Sequence, residues 1–187
     1  MPKLLKILGF DPSFSNWGIA LAAYDPVSKK LTVGKLDVIQ PETSKGKQVR
    51  QNSADLERAK QLRIPTIPLM KWADAVAVEV PHGSQSSRAS VSYGVCIGIL
   101  ASLYDYDKPL IQVTAGETRK VITGKTKATK EEAIAWAMAK HPEAPWPMHG
   151  GKVNASKAEH MADAIAAIYA AMETETFKTM AMLASKE

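Results

Sequence analysis

Cysteine is almost missing from this chain, and so are long apolar runs; each shortage closes off a class of protein. Cys96 is the single cysteine, which excludes an internal disulfide and a cysteine-rich zinc site. The longest apolar runs are short and interrupted, so no segment is expected to span a bilayer. The start, Met1 to Phe10, has Lys3 and Lys6 but neither a long apolar core nor a small-residue cleavage site, so a secretory signal is not expected. Together these features point to a reducing cytosol. There is no internal repeat and no low-complexity tract. The length of 187 residues fits one domain with one sizeable core.

The net charge of +5 and the sequence pI near 9.2 are mildly basic and say little alone. Their distribution says more. From Arg119 to Lys130 the chain carries Arg119, Lys120, Lys125, Lys127 and Lys130 and no acid. Such a cluster suits phosphate neutralisation, or else it is simply a solvated loop.

The periodicity predicts an α/β domain. Leu4 to Phe10, Trp17 to Tyr24 and Leu31 to Ile39 predict three strands joined by short turns, an antiparallel meander. Pro41 to Gln51 is polar and basic. Ser53 to Met70 has mixed helical periodicity, and Pro65 and Pro68 predict a broken helix or two short ones. Ala75 to Val80 is an apolar strand with one charge, Glu79. Ser84 to Leu103 predicts a helix rich in small residues, with Val91, Val95 and Ile99 on one face. Pro109 to Val113 is a further strand. Thr114 with Glu117, and Thr129 with Glu132, carry capping-box spacing for two more helices. Pro142 to Gly151 predicts a loop, Ser156 to Met172 a helix, and the residues from about Thr174 onward are expected to fray. Strands that alternate with helices after an antiparallel start imply a mixed sheet flanked by helices.

Four features carry chemistry. Asp11 ends the first strand. Glu79 sits in an otherwise apolar strand, where a carboxylate is costly to bury without a cation. His160 and Asp163, three residues apart, share a face of the last long helix. The basic cluster lies between Glu79 and that helix. Singly, each residue has an ordinary explanation: Asp11 as a turn residue, Glu79 on a strand edge, His160 and Asp163 as solvated helix positions. Three carboxylates and an imidazole that converge would repel unless they hold cations, and oxygen-rich sites suit Mg²⁺ or Mn²⁺. Two such ions can form a clamp for phosphodiester hydrolysis.

With these residues in view, the chain resembles the RuvC family of the RNase H-like superfamily. The likeness rests on Gly9-Phe10-Asp11, on Glu79, on His160-Met161-Ala162-Asp163-Ala164, and on the basic stretch Val121 to Lys130. It runs from about Leu4 to Ala171. The resemblance implies an RNase H-like mixed five-stranded sheet in a nuclease domain over 1–173, with 174–187 as a C-terminal tail. It implies a Mg²⁺- or Mn²⁺-dependent endonuclease with two ions, which resolves Holliday junctions or other branched DNA by paired symmetric nicks. Asp11, Glu79, His160 and Asp163 would be both catalytic residues and metal ligands, with His160 either a ligand or a general acid/base and Glu159 its alternative. Arg88, Arg119, Lys120, Lys125, Lys127, Lys130 and His82 would contact DNA, and no nucleotide cofactor is implied. His82 stands where the family often has an aromatic residue, and residues 40–52 look longer and more basic than the family pattern. These departures imply a divergent bacterial or phage member acting in the cytoplasm. The two-fold symmetry of a four-way junction implies a homodimer, for which the small residues of Ser84 to Leu103 offer a surface, unless they only pack that helix on its own sheet. The alternatives are another RNase H-like nuclease acting on RNA–DNA hybrids and a non-catalytic DNA-binding protein.

Overall fold

The computed structural model describes residues 3–42, 50–81, 83, 86–104 and 108–186. Three strands open the chain: β1 (Leu5–Asp11), β2 (Trp17–Asp25) and β3 (Lys30–Ile39), paired antiparallel in sequence order. Helix α1 (Gln51–Trp72) leads to β4 (Ala75–Glu79), which pairs parallel with β1 on its other side. Helix α2 (Ser87–Leu103) then leads to β5 (Leu110–Val113), parallel to β4. The result is one five-stranded mixed sheet in the order β3-β2-β1-β4-β5. This is the expected α/β architecture of an antiparallel start followed by parallel strands.

The two sheet faces bury different partners. Leu8, Phe10, Val76 and Val78 point to α1 and α2 and pack with Leu62, Met70, Ile99 and Leu103. Ile7, Ala75 and Ala77 point to the opposite face. On that side lie α3 (Ala115–Thr123), α4 (Lys130–Lys140) and α5 (Ala155–Met172): α5 rests on the sheet, and α3 and α4 pack against α5. Both expected capping boxes are formed, Thr114 with Glu117 and Thr129 with Glu132. Each satisfies donors that a helix start leaves without partners.

Four expectations differ from the structure. The broken helix is one continuous α1 that runs through Pro65 and Pro68. Its inner residues Leu62, Thr66 and Met70 are buried, so tertiary packing offsets the hydrogen bonds and local fit that the prolines cost. In α2 the buried residues are Cys96, Ile99, Leu100 and Leu103, while Val91 is 50% exposed. The loop from Pro142 to Gly151 leads into a short antiparallel hairpin, β6 (Met148–His149) with β7 (Lys152–Val153). The segment expected to fray forms α6 (Glu175–Ala184). Its Phe177 is buried edge-on against Tyr24 at 5.1 Å, an apolar anchor that a short terminal window hides. Ser84, Gln85 and residues 43–49 lie outside the described residues.

Helix α5 is the centre of the molecule. It is alanine-rich and buried along most of its length. It crosses β1 and β2 where their backbones are bare. A Cβ at Gly9 would run into the Ala164 carbonyl, and one at Gly18 into the His160 carbonyl. Both neighbours are backbone, which cannot swing aside. Gly18→Ala should therefore lower stability by about 3 kcal/mol, measured as thermal or urea unfolding. Gly34→Ala, whose new methyl meets, among the described residues, only the Leu21 carbonyl at 4.0 Å, should change it by less than about 0.5 kcal/mol. Equal effects at the two positions would refute close helix packing as the reason for Gly18.

Candidate active site

Strand register brings the first two acids together. Phe10 stands opposite Val78 on parallel neighbours. Asp11 and Glu79, one residue further on, therefore leave adjacent strands side by side, about 5 Å apart in the sheet. Side chains alternate along a strand. Residues 7, 9 and 11 of β1 and 75, 77 and 79 of β4 thus share the face that α5 covers. Helix α5 crosses that face with His160 and Asp163 one turn apart. The four residues line one cavity of about 430 Å³, together with Glu159 and Arg119.

Each group is held in place. The His160 Nδ1–H donates to Asp11 Oδ2 at 2.7 Å. The accepting carboxylate holds the imidazole's pKa above its usual value, against the effect of burial. The Thr118 hydroxyl, on α3, donates to Glu79 Oε2 at 2.7 Å. Glu159 takes the Lys130 ammonium at 2.7 Å. Asp163 is strongly perturbed. Burial pushes its carboxyl up to about 8, and the charges of Asp11, Glu79 and Glu159 add to the effect. A carboxyl that resists ionisation beside two other carboxylates marks a site short of positive charge. Among the described residues, no three His, Cys, Asp or Glu side chains already form a ready cage for a metal ion; His160 is turned onto Asp11 instead. The donors are carboxylate oxygens and one imidazole nitrogen, a set that fits a hard divalent cation.

The turn after Asp11 is clamped from behind. Arg58, on α1, lies 4.1 Å over the Phe14 ring. Its guanidinium also donates to the Phe14 carbonyl at 2.9 Å and to the Ser15 hydroxyl at 3.0 Å. Arg58 and Thr118 are absent from the sequence expectations. Arg58 sits in a helix of mixed periodicity, and Thr118 inside a capping motif, so neither announces its partner. The apolar Phe14 next to a basic helix was the one available cue.

The expected DNA-contacting residues fall in three places. Arg119 is exposed at the rim of the acidic cavity. Lys125 and Lys127 are exposed on the loop after α3, which Gly124 starts with a positive φ of 73°. The Thr123 hydroxyl pins that loop by donating to the Lys127 carbonyl at 2.9 Å. Lys130 joins the same end of the molecule through Glu159. Lys120 instead opens into a groove with Glu117 and Glu173, beside α6. Arg88 forks onto the buried Asp55 at 2.5 and 2.6 Å, so it ties α2 to α1. His82 lies outside the described residues.

With solved structures the likeness is extensive. Thermus thermophilus RuvC in complex with a Holliday junction substrate aligns with a TM-score of 0.65 and 18% identity, over 90% of this chain and 96% of that one. A second T. thermophilus RuvC structure aligns with a TM-score of 0.63 and 20% identity, over 90% and 97%. The chain has the RuvC, RNase H-like fold. No protein-family model matches it, and no curated protein sequence does.

The Asp163 environment fixes a pH dependence. Its folded pKa, about 8, lies above its unfolded value near 3.8. The favourable contribution of the protonated form is complete below about pH 4 and is lost as pH rises through about 8. Asp163→Asn removes this titration. In metal-free buffer its stability relative to the parent should grow by roughly 1 to 3 kcal/mol between pH 5.5 and pH 8. A constant difference across that range would show that Asp163 is already ionised in the fold.

Proposed function

We propose that this chain is a metal-dependent endonuclease for branched DNA, acting on four-way junctions. One observation carries the reading. Asp11, Glu79 and Asp163 arrive from three separate elements in one cavity where carboxylates outnumber cations, with Arg119 at its rim. The shared fold with RuvC, whose structure holds a Holliday junction substrate, supports the substrate class.

The residues divide the work. Asp11, Glu79 and Asp163 would hold two Mg²⁺ or Mn²⁺ ions, which when bound polarise the scissile phosphate and lower the pKa of the attacking water. His160 is kept near Asp11 with its proton favoured, which equips it as a proton donor at the cavity wall or, once deprotonated, as a further ligand. Thr118 fixes Glu79, and Arg58 fixes the turn that carries Asp11 and Ser13. Arg119, Lys125 and Lys127 neutralise neighbouring phosphates. Lys130 holds Glu159, which leaves His160 the better placed of the two for the fourth position.

Asp11→Asn and Glu79→Gln should each reduce Mg²⁺-dependent cutting of a four-way junction by on the order of 10³-fold. Binding of the same junction should change little, because the phosphate contacts lie outside the cavity. Linear duplex and RNA–DNA hybrid serve as comparison substrates. Cutting of the hybrid in preference to the junction, or parental rates in either variant, would defeat this reading.

Resolution of a two-fold junction needs two equivalent cuts, and one chain supplies one site. The outer face of α2 suits a two-fold contact. Val91 and Ile97 are 50% and 45% exposed there, and among the described residues nothing lies within 4 Å of the Cβ positions of Gly94 and Gly98. The chain should sediment as a dimer on junction DNA, and Gly94→Arg should sediment as a monomer. A parental monomer that still makes paired nicks would separate the dimer from the activity.

A further inference from the structure

Between Glu143 and Glu159 the chain contains no acid and carries His149, Lys152 and Lys157. This stretch holds the β6–β7 hairpin, with Met148 paired to Val153 and His149 to Lys152. Gly150 and Gly151 close it at φ 56° and 77°, the left-handed pair that a tight two-residue turn needs. The hairpin has a fixed base. The Trp146 indole is buried and donates to the His141 carbonyl at 2.9 Å, and the Asn154 N–H donates to the Pro147 carbonyl at 2.7 Å. Its tip is in solvent. Met148 is 61% exposed, and His149 and Lys152 are exposed with it. A two-stranded ribbon this short contributes little stability alone, and its exposed side chains serve no core.

Its position gives it a use. Helix α5 runs antiparallel to β1, since His160 lies over Gly18, the partner of Asp11, while Ala164 and Ile168 lie over Gly9. The first turn of α5 therefore extends past the strand ends where Asp11 and Glu79 face the cavity. The hairpin joins α5 at its cap, Asn154. Six helical steps separate Asn154 from His160, about 9 Å along the axis, or roughly three base steps of B-form DNA.

We propose that the β6–β7 hairpin is a second DNA-binding element, which contacts the strand flanking the scissile phosphate. Lys152 meets a phosphate, and Met148 packs on a sugar or an unstacked base near the branch. This rests on the nuclease reading above and adds to it a contact beyond the Lys125–Lys127 loop. Apolar side chains at such tips pack against bases where stacking is already interrupted, as it is at a branch point.

The test combines salt dependence with crosslinking, using the full-length chain and a synthetic four-way junction. Lys152→Ala should reduce the slope of log binding constant against log salt by about one unit, and Lys152→Arg should restore it. Met148→Cys should crosslink to a junction with an activated disulfide tether three bases from the branch. The parent should not crosslink, because burial pushes the thiol of its only cysteine, Cys96, up to about 12. If the parent binds and cuts the junction while Lys152→Ala keeps its slope and Met148→Cys gives no crosslink, the hairpin proposal is overturned and the nuclease stands. If the parent neither binds nor cuts any DNA offered, the nuclease reading falls and the hairpin proposal falls with it.

Discussion

Helix α5 rests directly on sheet backbone at Gly9 and Gly18, and this close approach sets the position of everything in the cavity. An ordinary side chain at either glycine would lift the helix by a substantial fraction of an ångström-scale contact. His160 would then leave Asp11, and Asp163 would leave the shared environment of the two strand-end acids. The alanines of α5 serve the same end, since small residues let helix and sheet pack without a layer of bulky side chains between them. Packing and site geometry are thus one constraint seen at two scales.

That constraint concentrates like charge. Burial first, and then the charges of Asp11, Glu79 and Glu159, hold Asp163 well above the ordinary carboxylate range. The protein offsets part of this locally: His160 faces Asp11, Thr118 faces Glu79, and Lys130 faces Glu159. None of these supplies the charge of a divalent cation at the centre. A site so arranged gives up folding stability at neutral pH, because buried carboxylates resist ionising side by side.

The basic residues show why charge alone is a poor guide to role. Arg88 is expected from the sequence to contact DNA, yet the fold occupies it, as it does Arg58. Arg88 neutralises buried Asp55; its guanidinium fork satisfies a carboxylate that could not be buried alone. Arg58, one turn further along α1 from Asp55, grips the turn after Asp11. One helix thereby links the start of α2, the proposed dimer surface, to the back of the acidic cavity. Arg119 at the rim, Lys125 and Lys127 on the loop after α3, and Lys152 on the hairpin are instead exposed.

Much of this was legible in the chain. Apolar runs joined by short turns and two capping boxes marked most of the strands and helices, because these signals are local. The candidate acids were legible too, since a carboxylate among valines and alanines, or an acid three residues after a histidine on a helix, is visible without coordinates. Several features were not. Continuous α1 depends on packing that outweighs two prolines, docked α6 depends on Phe177 meeting Tyr24, and the hairpin depends on the Trp146 anchor. The assignment of Arg88 to Asp55 and of Lys120 to a remote groove, and the Thr118 and Arg58 contacts, are likewise set by residues far apart in sequence. Sequence patterns determine which groups exist and on which elements they ride. Only the tertiary structure decides which of them meet, because the free energy of a buried contact or ion pair depends on a partner that the local chain does not contain.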